Sequence, residues 1–382
     1  MWKVQLFKLN YNEKESKAVK ETVDSGWITM GEKSREFEEK FSNMLGDNID
    51  AIALSSGTAS LHTALLALDI KAGDEVIIPA LTFVADINVV KMVGATPILA
   101  DCGDYNSWNI TAESIEAQIS SKTKAVILVH FAGYPCEMDK IVELCRGREI
   151  FLIEDCAHAP DARYKGKACG TFGDFGCFSF FTNKNLSVGE GGMLVSQDEE
   201  LTLKAKYFRS HGMTALTLDR HKGRAISYDV VQSGLNYRID EMRSAIGLVQ
   251  LEKLKKSNRK REVLVKRYID NLSDIKDILV PFQDLKDVEP VYHIFPILLS
   301  SKIDRVWFIN RLKEMGIQSS IHYPAFKDFT AFKDIGLNSA PIAEDIAQRE
   351  LTLPLYPTMS LDEVDLVCES IYKILEVERE IL

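Results

Sequence analysis

Ile150-Phe151-Leu152-Ile153-Glu154-Asp155 is the stretch on which the reading of this chain turns. An unbroken apolar run of this length is the mark of a strand buried on both faces. An acid at its end is costly unless something pairs with it, so Asp155 marks a place where a strand end meets chemistry. Similar runs lie on either side. Ala51-Ile52-Ala53-Leu54 precedes a stretch of helical composition from Gly57 to Leu68, and Glu75-Val76-Ile77-Ile78 is stopped by Pro79. Phe83 to Met92 has helical spacing, and Pro97-Ile98-Leu99-Ala100 ends at Asp101. Lys124 to Val129 and Gly176 to Phe180 continue the series. Short apolar strands alternating with helices predict an α/β fold with a mainly parallel sheet covered on both faces. Ligands gather at the carboxyl ends of the strands in such sheets. Asp155 and the turn Ser55-Ser56-Gly57 both fall at such ends.

Beyond Tyr237-Arg238 the pattern changes. Asp240 is placed to cap a long helix running to about Leu272, and Val291-Tyr292-His293-Ile294-Phe295 reads as a strand. A helix, a strand over Ile317 to Ile321 and a last helix from Leu361 to about Glu378 follow. The expected division is a larger domain, 1–238, and a smaller C-terminal α+β domain, 239–382, with the N-terminal segment packing on the smaller one. A net charge of −10 argues against nucleic acid and anionic membrane as partners. No apolar run reaches membrane-spanning length, and Met1-Trp2-Lys3-Val4-Gln5-Leu6 lacks the apolar core of a signal peptide. A cytoplasmic protein is the expectation. The cysteine count, 7, is odd and no pair is spaced as CxxC, so neither a disulfide framework nor a metal site is expected.

Four groups of residues carry chemistry when taken together. Lys184 follows the aromatic strand Phe178-Ser179-Phe180-Phe181 and precedes Gly189-Glu190-Gly191-Gly192. A dry site lowers an amine's pKa and frees its lone pair for a Schiff base. Asp155 is suited to hold a pyridine nitrogen protonated. A Schiff-base lysine and such a carboxylate are what pyridoxal phosphate (PLP) asks of a protein. Ser55-Ser56-Gly57-Thr58-Ala59, between a strand and a helix, suits one phosphate group, and Ser179 offers a hydroxyl to it. Phe83, just past a strand end, is placed to stack on a cofactor ring, and His158 to hydrogen-bond its phenolic oxygen. Each of these residues also has an ordinary structural reading, and only their conjunction favours the chemical one.

That conjunction resembles the DegT/StrS family of PLP-dependent sugar aminotransferases. The matching stretches include Ser56-Gly57-Thr58-Ala59, Gly73-Asp74-Glu75-Val76-Ile77-Ile78-Pro79, Thr82-Phe83-Val84, Glu154-Asp155-Cys156-Ala157-His158, Gly189-Glu190-Gly191-Gly192, Asn236-Tyr237-Arg238 and His322-Tyr323. They occur in family order over roughly residues 10 to 375. The resemblance implies PLP fold type I, with a seven-stranded sheet in the large domain, and a homodimer with active sites at its interface. It assigns the Schiff base to Lys184 and the ring nitrogen to Asp155. It gives the phosphate to Thr58, Ala59 and Ser179, ring stacking to Phe83, and the phosphate of the other subunit's cofactor to Asn236. Many relatives carry glutamine at the position of His158. Some replace the lysine by histidine and act as dehydratases, so the presence of Lys184 favours transamination.

The reaction implied moves an amino group from L-glutamate to a keto group of a nucleotide-linked sugar, leaving 2-oxoglutarate. Arg238 and the basic stretch Arg220, Lys222 and Arg224 are candidates for the nucleotide's phosphates, and His322 and Tyr323 for the sugar or nucleotide. Three alternatives stand beside it: the same chemistry on a cyclitol or a small non-sugar ketone, a PLP-binding regulator without turnover, and an α/β binding protein without cofactor.

Overall fold

The computed structural model describes residues 2–214 and 227–381. Its centre is a seven-stranded sheet. In chain order the strands are β1 (Asp50–Leu54), β2 (Glu75–Pro79), β3 (Thr96–Ala100), β4 (Thr123–Val129), β5 (Phe151–Asp155), β6 (Phe175–Ser179) and β7 (Gly192–Ser196). In space they run β1-β7-β6-β5-β4-β2-β3. Every neighbouring pair from β6 to β3 is parallel. β7 lies antiparallel between β6 and β1.

The strands that the apolar runs predict are present to within a residue or two, because both faces are covered and only apolar side chains fit there. Ile77, Val126, Ile127 and Ile153 are fully buried. β7 has no counterpart among the expected strands. Its glycine-rich approach reads as loop, yet Gly192 sits there because a Cβ would lie 2.4 Å from the Ser56 carbonyl.

The helix Glu241–Leu272 begins where expected, with the Asp240 carboxylate accepting from the Arg243 amide at 2.9 Å. Two expected strands differ. Residues 291–294 are not a strand, which starts only at Phe295 (β9, Phe295–Leu299, between β8, Ile278–Leu279, and β10, Glu350–Leu353). The Val291 and His293 amides donate instead to the carbonyls of Gly133 and Ala132, at 3.0 and 2.8 Å, and so leave any ladder. Ile317 to Ile321 forms only isolated bridges, Val4 with Ile317 and Ser320 with Thr352. The N-terminal segment is held there too, by Lys3 on the Gly316 carbonyl and Leu6 on the Gln318 side chain.

Candidate active site

The carboxyl ends of β1, β2, β4, β5 and β6 open on one cavity of about 360 Å³. Its walls carry Ser56, Gly57 and Thr58 after β1, Thr82 and Phe83 after β2, and Asp155 and His158 from β5. Ser179 and Lys184 close it from β6, and His322 and Tyr323 reach in from the C-terminal part of the chain. Residues far apart in sequence meet here because parallel strands deliver their ends to one edge.

Lys184 is pulled down from the ordinary lysine value of 10.5 to about 8. Burial lowers it, and the Asp155 charge opposes the shift. Asp155 is raised, burial again being the main cause. The Ala157 amide (2.8 Å to Oδ1) and the Lys184 charge work against that rise. Beneath it, Glu154 turns the other way and gathers the amides of Gly170, Phe172 and Gly173 and the ring of His130. His130, Glu154 and Cys156 lie close enough to hold an ion, but the Glu154 oxygens and both His130 nitrogens are already hydrogen-bonded within the protein, His130 Nδ1 by the Cys136 amide.

The start of the helix Gly57–Ala67 presses on β6. A Cβ on Gly57 would lie 2.8 Å from the Ser179 Cβ, so only glycine brings the helix's first amides beside that hydroxyl. The Ala59 amide donates to the Ser56 hydroxyl at 3.1 Å, while Gly57 and Thr58, just before it, line the cavity. Phe83 stands 52 % exposed at the rim, its ring 5.6 Å from that of Tyr323. An exposed aromatic face, an anion cradle, a carboxylate and an unusually weak base in a cavity of this size fit PLP. No other described cavity combines them. A larger cleft of about 520 Å³, lined by Trp27, Lys33, Glu36 and Glu241, has no such donor set. Its Glu241 carboxylate already caps the helix Glu32–Leu45, accepting from Gly31, Lys33 and Ser34.

Other expected site residues fall differently. Both nitrogens of His158 are engaged, Nδ1 by the Ala132 amide (3.2 Å) and Nε2 by the Tyr323 hydroxyl (3.1 Å). Burial holds this imidazole neutral, so Nε2 donates and Tyr323 keeps its own hydroxyl hydrogen for another acceptor. His322 pairs with the Thr352 hydroxyl at 2.8 Å, and burial lowers it to about 3. Asn236 is exposed and, with Arg238, lies outside this cavity's walls; Arg238 is bridged through its backbone to Leu54. Arg220, Lys222 and Arg224 lie outside the described residues.

Sequence reasoning missed two groups. Asp86, wholly buried, faces Asp155 and accepts from the Thr82 hydroxyl at 2.6 Å. Burial, then the Asp155 charge, pushes it well above the carboxylate range, so it holds a proton. Its place four residues after Thr82, in the first turn of the helix Val84–Met92, is the available signal. His293 lies 3.5 Å from the Lys184 amine, and nothing in its sequence surroundings points there.

The sequence pattern of the DegT/DnrJ/EryC1/StrS aminotransferase family matches residues 10–372. GDP-perosamine synthase of Escherichia coli O157:H7 is 38% identical over 374 residues, covering 96% of this chain and 97% of that protein. The spore coat polysaccharide biosynthesis protein SpsC of Bacillus subtilis (strain 168) is 36% identical over 375 residues, 95% of each. Among solved structures, the PLP form of Spr1654 from Streptococcus pneumoniae superposes with a TM-score of 0.89 at 28% identity, covering 98% of both chains.

Proposed function

Because this chain belongs to the DegT/DnrJ/EryC1/StrS aminotransferase family, with PLP as cofactor, we propose that it moves an amino group from L-glutamate to a keto group of a nucleotide-linked sugar. The observation that carries the reading is that Lys184, which feels the Asp155 charge, shares one cavity with Asp155 and with the close contact of Gly57 and Ser179. The relatives named above for perosamine and for a coat polysaccharide support a sugar acceptor.

In this reading Lys184 would hold the cofactor at its aldehyde end and Asp155 would hold its ring nitrogen. Gly57, Thr58, Ala59 and Ser179 would hold the phosphate, and Phe83 would cover the ring. PLP supplies an electron sink and a carrier for the amino group. The protein supplies the proton traffic. With a pKa of about 8, the Lys184 amine is partly neutral at physiological pH, so it can accept a proton from a substrate carbon and return it as ammonium. Asp86 stays protonated behind Asp155, so a single negative charge faces the ring nitrogen. Tyr323, oriented by His158, offers a hydroxyl hydrogen to the cavity. His322 and Tyr323 are the proposed sugar contacts, and Arg238 with Arg220, Lys222 and Arg224 the proposed contacts of the nucleotide's phosphates.

The proposal includes a homodimer in which Asn236 completes the partner's cofactor site. Its exposure, away from its own chain's cavity, supports this. It also includes the division at residues 238–240, with the N-terminal segment on the smaller part, which the bonds of Lys3 and Leu6 support.

The test presents the protein, loaded with pyridoxamine phosphate, with nucleotide-linked keto sugars, a keto cyclitol and simple ketones, and follows return of the PLP absorption band. A nucleotide-linked sugar should react at least tenfold faster than the others. Equal or faster reaction with the cyclitol or simple ketones moves the acceptor to that class. No release of 2-oxoglutarate from L-glutamate by the PLP form removes glutamate as donor.

A further inference from the structure

The Lys184 amine is 3.5 Å from Nε2 of His293, and Nδ1 of His293 is 3.1 Å from Oδ1 of Asn185. Which histidine nitrogen carries the hydrogen follows from the far end of this chain of bonds. Two main-chain carbonyls anchor it, and a carbonyl only accepts. The Val291 carbonyl accepts from Asn185 Nδ2 at 2.8 Å. The Pro160 carbonyl accepts from Asn258 Nδ2 at 3.2 Å, which turns Asn258 Oδ1 toward Asn185 Nδ2 at 3.0 Å. Both hydrogens of the Asn185 amide are thereby committed, and its oxygen faces the imidazole. His293 Nδ1 must donate, so Nε2 bears a lone pair directed at the lysine.

The ring has little freedom. His293 is buried, its amide donates to Ala132 at 2.8 Å, and its carbonyl accepts from Arg261 at 3.1 Å. Burial and the nearby Lys184, His158, Arg261 and His322 all keep it neutral. The other titratable groups acting on or beside the lysine are Asp155, His158 and His322.

We propose that His293 is a positioning residue for Lys184, a neutral imidazole whose Nε2 accepts a hydrogen from the free lysine amine and whose tautomer is set by Asn185 and Asn258. Its functional consequence rests on the aminotransferase reading. Whenever the amine is detached from the cofactor, His293 holds it on one side of the cavity and favours its charged form. The tautomer and the lysine contact stand without that reading.

A neutral acceptor stabilises ammonium over amine, so its loss lowers the lysine pKa. The check uses cofactor-free protein and competitive acetylation with acetic anhydride across pH, the Lys184 peptide being quantified by mass. The parent should be half-reactive near pH 8. His293→Leu should move that midpoint down by about one unit, about tenfold more labelling well below both midpoints. His293→Gln keeps an oxygen near the Nε2 position and should stay within about 0.3 unit of the parent. A His293→Leu midpoint within about 0.3 unit of the parent overturns the proposal. Should that variant not fold, nitrogen-15 NMR of histidine-labelled parent decides: hydrogen on Nδ1 of His293 supports the assignment, and hydrogen on Nε2 alone overturns it. Neither measurement uses a sugar or cofactor, so failure here is distinct from failure of the proposed reaction.

Discussion

At the scale of single residues, the site works by keeping three ionisable groups in unequal states. Lys184 is a weakened base, Asp155 a carboxyl raised by burial but supported by the Ala157 amide and the Lys184 charge, and Asp86 a carboxyl raised further still by burial and by Asp155. Lys184→Ala should lower turnover by at least about 10²-fold while pyridoxamine phosphate still binds, as single-turnover absorbance will show. Asp155→Asn should have a comparable effect, because an amide cannot hold the ring nitrogen protonated. Asp86→Asn should be mild. Its amide matches a protonated acid, accepting from Thr82 and donating toward Asp155, so kcat should stay within about threefold. A large loss there would mean that Asp86 acts as an anion. In pH terms, the proton-accepting form of Lys184 is lost as pH falls through about 8, so the proton-transfer rate in single turnovers should rise with pH up to that point and then level.

At the scale of elements, two buried glutamates hold the frame in which these residues sit. Glu241, on the first turn of the helix Glu241–Leu272, receives the amides of Gly31, Lys33 and Ser34 and the Ser34 hydroxyl. It thus caps the helix Glu32–Leu45, whose own N-cap is Gly31 and has no side chain. Glu241→Ala strands several donors at once and should cost about 3 kcal/mol in urea unfolding. Asp240→Ala, which removes one ordinary cap, should cost only about 1 kcal/mol. Equal losses would show that Glu241 acts only as part of its own helix. Glu154 plays the matching part under the cavity, tying 170–173 to β5. The composition of β5 makes a strand legible, since only apolar side chains suit both its faces. The missing strand at 291–294 has an equally definite cause. Two amides that an apolar run would commit to a ladder are drawn off by Ala132 and Gly133.

At the scale of the whole molecule, the proposed dimer makes a specific demand. Lys184→Ala and Asn236→Ala should each impair activity. In a hybrid dimer, however, one site keeps both residues if Asn236 serves the partner. Mixing the two variants after dissociation should therefore restore roughly a quarter of the parent's activity, given random pairing. No recovery, with hybrids shown to form, would place Asn236 in its own chain's site or outside any site. No helix among the described residues is long and apolar enough to cross a membrane.

The sequence alone determined six of the sheet's seven buried strands and singled out Lys184 and Asp155, which the fold brings to one cavity. Those signals are local: an apolar run must be buried, an acid at its end needs a partner, and small residues before a helix admit an anion. Only the tertiary structure decided that Asp86 meets Asp155, that the Tyr323 hydroxyl bonds His158 at the cavity wall, and that His293 aims its lone pair at Lys184. Those contacts join distant segments or opposite sides of a buried turn. Their effect depends on desolvation and on which hydrogen each partner has left to give, and neither exists until the chain has closed around them.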